Sequence, residues 1–199
     1  MSVVRKSINL FVETAMLDHI TTIDSVLDFW FNELTPNQYF AIDLSIDNLI
    51  SERFSAIHKA AIQGELYIWR RSAEGRLAEI IVLDQFSRNI YRGKKEAFAS
   101  DGMALILAQE AIERGIAKAL SAQQRVFLYL PFMHSESLAI HEQAVRLFGD
   151  PELKENLAYE LQHKNIIEKF GRYPHRNAIL GRASTAEEIA FLKLPNSSF

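Results

Sequence analysis

The chain has 199 residues, long enough for one well-buried core and short for two. Hydrophobic residues make up 48% and charged residues 24%, so global disorder is excluded, and the net charge of -3 argues against bulk electrostatic binding of nucleic acid. There is no cysteine, which rules out disulfides, iron–sulfur clusters and thiolate nucleophiles; zinc would have to use histidine and carboxylates alone.

Residues 1–22 show no strong period and read as an arm or short helix laid on the domain. Their apolar run Ile8–Val12 is broken by Asn9, too short for a signal-peptide core. No window has the apolar length needed to cross a bilayer, so a soluble cytoplasmic protein is expected. Thr21 with Asp24 resembles a capping box, and Ile23, Val26, Leu27, Trp30 and Leu34 form the first helical stripe, ended by Pro36.

Asp47–Gln63 reads as a second helix with Leu49, Ile50, Phe54, Ile57 and Ala61 inward, closed by Gly64. A third starts at Tyr67–Trp69 and runs, with a kink near Gly75, into Ile80–Gly93. There Leu83, Phe86 and Ile90 face the core, while Asp84, Arg88 and Tyr91 share another face and Gln85 sits beside Asn89. Lys95–Arg114 is apolar almost all round and is expected in the middle of the bundle.

Ser121 opens a helix in which Pro131 predicts a kink or break near 127–131. Ser135–Phe148 follows with Ser135 as cap, and then a helix from Asp150-Pro151 to Phe170, stopped by Gly171. A short helix is expected over Pro174–Leu180, and a last one over Ala186–Lys193 behind a Ser184/Glu187 capping box. Phe29, Trp30, Phe31, Phe127, Tyr129 and Phe132 sit at core spacing. No alternating strand pattern occurs, so the expected fold is all-α, eight to nine helices in antiparallel hairpins, forming one domain over 23–194 with a tail at 195–199.

Polar residues gather at three helix ends or breaks. One group is Asp84, Gln85, Arg88, Asn89 and Arg92; a second is His134, Ser135 and Glu136 beside Pro131. The third is Arg172, His175, Arg176, Asn177 and Arg182, where a helix starting at Pro174 would aim free N–H groups at an anion. The alternative is that these arginines pair with Asp84, Glu136 or helix carboxyl ends and simply fasten the last helices. His134, Glu136 and His175 are candidates for acid–base chemistry; HxE has no discriminating metal spacing, and neither metal nor cofactor is expected.

The segments VLDFWF (26–31), LDQFSRNIYRG (83–93), FLYLPFMHSE (127–136) and FGRYPHRNAILGRASTAEEIAFL (170–192) resemble an uncharacterised bacterial family, domain of unknown function nine-two-four. The resemblance covers about residues 23–194 and implies a tetratricopeptide-like array. This chain has Tyr91 and Tyr173 where the family pattern has Phe. The family has no established activity, so function is read from the residues. The first expectation is a pocket for a small anionic ligand or acidic peptide end, lined by Asp84, Arg88, Asn89, His134, Glu136, Arg172, His175, Arg176 and Asn177. The alternatives are a hydrolase or transferase using Glu136, His134 or His175, and a protein-interaction scaffold.

Overall fold

The computed structural model describes residues 23–195, 197 and 198; the arm expected over 1–22, with Thr21, lies outside them. Helix α1 (23–28) opens into a π-helical turn, Phe29–Glu33, which sets Phe29 and Trp30 side by side in the core. Both rings meet Phe86, with centroids 6.1 and 5.7 Å away, and Trp30 also meets Phe127 edge-on at 5.4 Å. Edge-to-face rings of this kind add to their large area burial.

Helix α2 spans Leu44–Ile62, starting ahead of Asp47 because Asp43 caps it, accepting from the backbone N–H of Ser45 at 2.8 Å. Its inward face is Ile46, Ile50, Phe54 and Ala61; Leu49, expected inward, lies on the exposed side. The expected kink near Gly75 is instead a full break at Ser72. Tyr67–Arg71 is a 3-10 turn, and α3 (Ala73–Ile81) begins afresh with Ser72 accepting from Gly75 N–H.

From α3 the chain passes through a second π-helical turn, Val82–Phe86, into α4 (Ser87–Ile90). Every residue from Gly75 to Ser87 is buried. This segment, rather than the apolar run after Lys95, is the middle of the molecule. The run after Lys95 splits into a 3-10 turn (Lys95–Phe98) and α5 (Asp101–Glu113), and α5 buries only the narrow stripe Ala104, Ala108, Ala111. Ile106 and Met103 are exposed, because small alanines on one side decide which face packs.

Helix α6 (Ala122–Met133) continues through Pro131, so the expected break is absent. Its last turns, Val126–Met133, are wholly buried, and that packing outweighs the backbone bond the proline cannot make. Helix α7 is Leu138–Phe148 behind Ser137; Ser135 is no helix cap but a turn residue whose hydroxyl accepts from Ser137 N–H at 3.2 Å. Asp150 caps a 3-10 turn at Pro151 that leads into α8 (Lys154–Phe170), and Gly171 ends α8 at φ 69°.

The helix expected over Pro174–Leu180 is a single 3-10 turn, Pro174–Arg176. Helix α9 (Ala186–Phe191) is capped by Thr185 and Glu188, one residue later than expected. Helices α5 to α8 pack each on the next through short connections, while α3 touches both α5 and α6. The described residues are all-α, with no strand. None of their helices is long and apolar enough to cross a membrane.

Candidate functional site

The last turn of α6, the first turn of α5 and the Pro174–Arg176 turn meet around a cleft of about 320 Å³. Its polar wall includes Lys95, Asp101, His134, Glu136 and Arg176, and its apolar wall includes Phe98, Leu105, Pro131 and Leu180. A second hollow of about 300 Å³, beside Ile112, Phe132 and Arg146, holds none of the buried charges described below.

The site is built from the core outward. Asp84, 1% exposed on the buried central helix, accepts from His134 Nδ1 at 2.8 Å and pairs with Arg88 Nη1 at 3.0 Å. Gln85 donates to its other oxygen. Burial alone would raise this carboxyl, but Arg88 and His134 outweigh it and hold it well below the usual carboxylate range. His134 caps the C-terminus of α6. Burial, helped by the Arg88 charge and opposed by Asp84, lowers its pKa, so at neutral pH the ring is uncharged and its Nδ1–H points at Asp84.

Arg88 reaches outward in a two-pronged contact with Asp101, Nη1 and Nη2 donating at 3.0 and 3.1 Å. Arg176 touches that same carboxylate once, Nη1 to Oδ2 at 3.2 Å. Its guanidinium is packed between Phe98 and Tyr173, 4.6 Å from each ring centre. Arg176 is 6% exposed, and its Nε has no hydrogen-bond partner among the described residues. Burial and the nearby Arg88 push its pKa below the usual guanidinium range, with Asp101 opposing.

Glu136 sits beside this knot but is closed by its own partner. Arg182 Nη1 and Nη2 donate to its two oxygens at 2.6 and 2.8 Å, and Tyr173 N–H donates at 2.7 Å. Burial opposes, but Arg182 and the backbone donor keep its pKa low, leaving a weak base. Because Tyr173 N–H is spent on Glu136 and the Pro174 turn is so short, the helix N-terminus expected at Pro174 is not there to face the cleft.

Behind the cleft Tyr173 is buried. Its hydroxyl donates to Met133 O at 2.5 Å and lies 3.2 Å from His141 Nε2. The other nitrogen of His141 stands 2.7 Å from the fully buried Glu160. His175 stacks against Tyr173 at 5.5 Å; burial and the Arg176 charge lower its pKa to about 4. Burial likewise lowers His163 to about 3.

Of the residues expected to line the pocket, His134, Glu136 and Arg176 line the cleft, and Asp84, Arg88 and His175 are gathered behind them without lining it. The others are in neither place. Asn89 turns to α2, donating to Asp47 Oδ1 at 2.8 Å beside Arg92. Arg172 is held by Glu188 in a two-pronged pair at 2.7 and 2.9 Å, which fastens α9. Asn177 is fully buried between Ser184 and Arg182. Asp101, Lys95 and Phe98 were missed. Asp101 stands in a helix read as buried core, and both its partners are distant in sequence. Among the described residues no group of three or more acidic, cysteine or histidine side chains is arranged to hold a metal.

No curated protein matches the chain. A solved structure of a protein of unknown function from Agrobacterium tumefaciens, ATU0120, is 40% identical and superposes with a TM-score of 0.83, covering 87% of this chain and 98% of its own. The model of one family, described as bacterial protein of unknown function (DUF924), matches residues 26–196. With its fold and its matching motifs in view, the chain belongs to that bacterial family.

Proposed function

We propose that this protein binds a small anion, a carboxylate or phosphate, in the cleft between α5, α6 and the Pro174–Arg176 turn. The observation that carries this reading is Arg176: a buried guanidinium at the cleft wall with one single-pronged contact and an unmatched Nε. An incoming oxyanion gives the guanidinium a further charged partner on the side it turns to the cleft. Lys95 adds a second positive charge at the rim. Arg88, Arg176, Arg182 and Lys95 stand against Asp84, Asp101 and Glu136, four cations to three carboxylates, which leaves one positive charge in excess for the anion. The same reading takes the α5–α8 hairpins as a tetratricopeptide-like stack, which their sequential packing supports.

Calorimetric titration with inorganic phosphate and with butyrate tests this. Saturable binding that weakens at least tenfold in Arg176→Ala, with the circular dichroism spectrum unchanged, is the expected result. No binding of either anion at tens of millimolar removes the reading.

A second reading rests on the pair Asp84–His134. A buried carboxylate that fixes the Nδ1–H tautomer leaves Nε2 with its lone pair as a proton acceptor, and His134 lines the cleft. A hydrolase or transferase would then use His134 as base, Asp84 as the group that orients it and Arg176 to hold an anionic substrate. A screen of phosphate and carboxylate esters, repeated on His134→Gln, tests it; saturable ligand binding with no turnover of any ester counts against it.

A further inference from the structure

The two walls of the cleft differ in chemistry, and the difference bears on which anions fit. Arg176 and Lys95 mark the charged end, while Phe98, Leu105, Pro131 and Leu180 line the remainder with carbon. Pro131 is buried within α6, whereas Leu180 is partly open to solvent. Phe98 belongs to both halves, since its ring also carries the Arg176 guanidinium at 4.6 Å. A bare inorganic anion would leave the apolar wall facing water. At about 320 Å³ the space is near the lower end for small-molecule sites, which calls for a compact occupant.

Resting on the anion reading above, we propose that the occupant is an amphiphilic carboxylic acid, with its carboxylate on Arg176 and a short aliphatic body along Phe98, Leu105 and Leu180. The carboxylate satisfies the guanidinium, and each methylene laid on the wall removes apolar surface from water.

The test is a titration series of acetate, butyrate, hexanoate and octanoate, with inorganic phosphate as a head-only probe, on the full chain and on Leu180→Ser. Affinity should rise up to about fourfold per methylene as far as hexanoate, the gain for a fully buried methylene group. In Leu180→Ser that slope should flatten, with hexanoate losing more affinity than phosphate. Acetate or phosphate binding as tightly as hexanoate overturns the proposal and leaves the anion reading intact. A slope untouched by Leu180→Ser overturns it too. N-acetyl-glycyl-leucine binding ten times more tightly than hexanoate reassigns the site to a peptide carboxyl end. Absence of binding by every probe removes both readings together.

Discussion

Arg88 and Asp101, thirteen residues apart in sequence, face each other through both guanidinium nitrogens and both carboxylate oxygens, at 3.0 and 3.1 Å. The same carboxylate is the one salt-bridge partner of Arg176 among the described residues. Replacing Asp101 by Asn therefore leaves the buried Arg176 with only a neutral partner and Arg88 with Asp84 alone. The expected cost is about 3 kcal/mol, the scale for breaking a buried pair on one side. Urea unfolding should show a lower midpoint with an unchanged slope. Added phosphate should recover part of the loss, because the anion takes over the missing charge.

Stability should fall on mild acidification, ahead of the carboxylate range. His163 and His175 have folded-state values of about 3 and about 4, depressed chiefly by burial. Free histidine titrates near 6.5, so between these limits the unfolded chain binds protons that the folded chain refuses. The loss sets in as pH drops past about 6.5 and grows by as much as ~1.4 kcal/mol per pH unit for each ring. Urea midpoints at pH 7 and pH 5 measure it, and His163→Gln should flatten the dependence.

Gly75 and Gly102 both stand in the first turn of a helix, yet alanine should act oppositely at the two. A Cβ at Gly75 would lie 2.1 Å from Trp69 O, so the break at Ser72 must open to admit it. The expected penalty is about 3 kcal/mol, the upper range for overpacking. At Gly102 nothing lies within 4 Å, and alanine should add up to about 1 kcal/mol from helix propensity. Thermal melts of the two variants decide it.

Tyr173→Phe keeps the ring that carries Arg176 and removes the hydroxyl bonded to Met133 O. The carbonyl is left in a buried setting without that donor, which costs about 1–2 kcal/mol. Anion affinity should change less than twofold, since Arg176 keeps both aromatic neighbours. A large affinity loss in this variant would contradict the assignment of the hydroxyl to packing.

Much of the fold was legible in the chain because apolar spacing is a local signal. The stripe through Leu83 and Phe86, the aromatic core around Trp30, and the stops at Gly64, Gly93, Gly115 and Gly171 all follow from nearest neighbours along a helix. The site was legible in half. Asp84 and Arg88 share a helix face, so their pairing could be expected. The turn of Asn89, Tyr91 and Arg92 toward α2 could not, because its cause is the position of Asp47 and His58 on another helix. Asp101 was hidden for the same reason: its partner Arg176 is separated from it by 75 positions. Reading an apolar run as buried on all sides also failed for α5, where side-chain size rather than polarity chose the packed face.

That choice reaches beyond packing. Helix α5 touches α3 and α6, and the side chains it buries completely are the methyl groups of Ala104, Ala108 and Ala111, with Leu105, Leu107 and Ile112 packed beside that stripe. Asp101 is the first residue of α5 and moves wherever the rod moves. A leucine at position 108 would act as a wedge under that rod, lifting the aspartate from both guanidinium groups at once. The gap across which the charges see one another is thus gauged by methyl groups about one to three turns along the same helix.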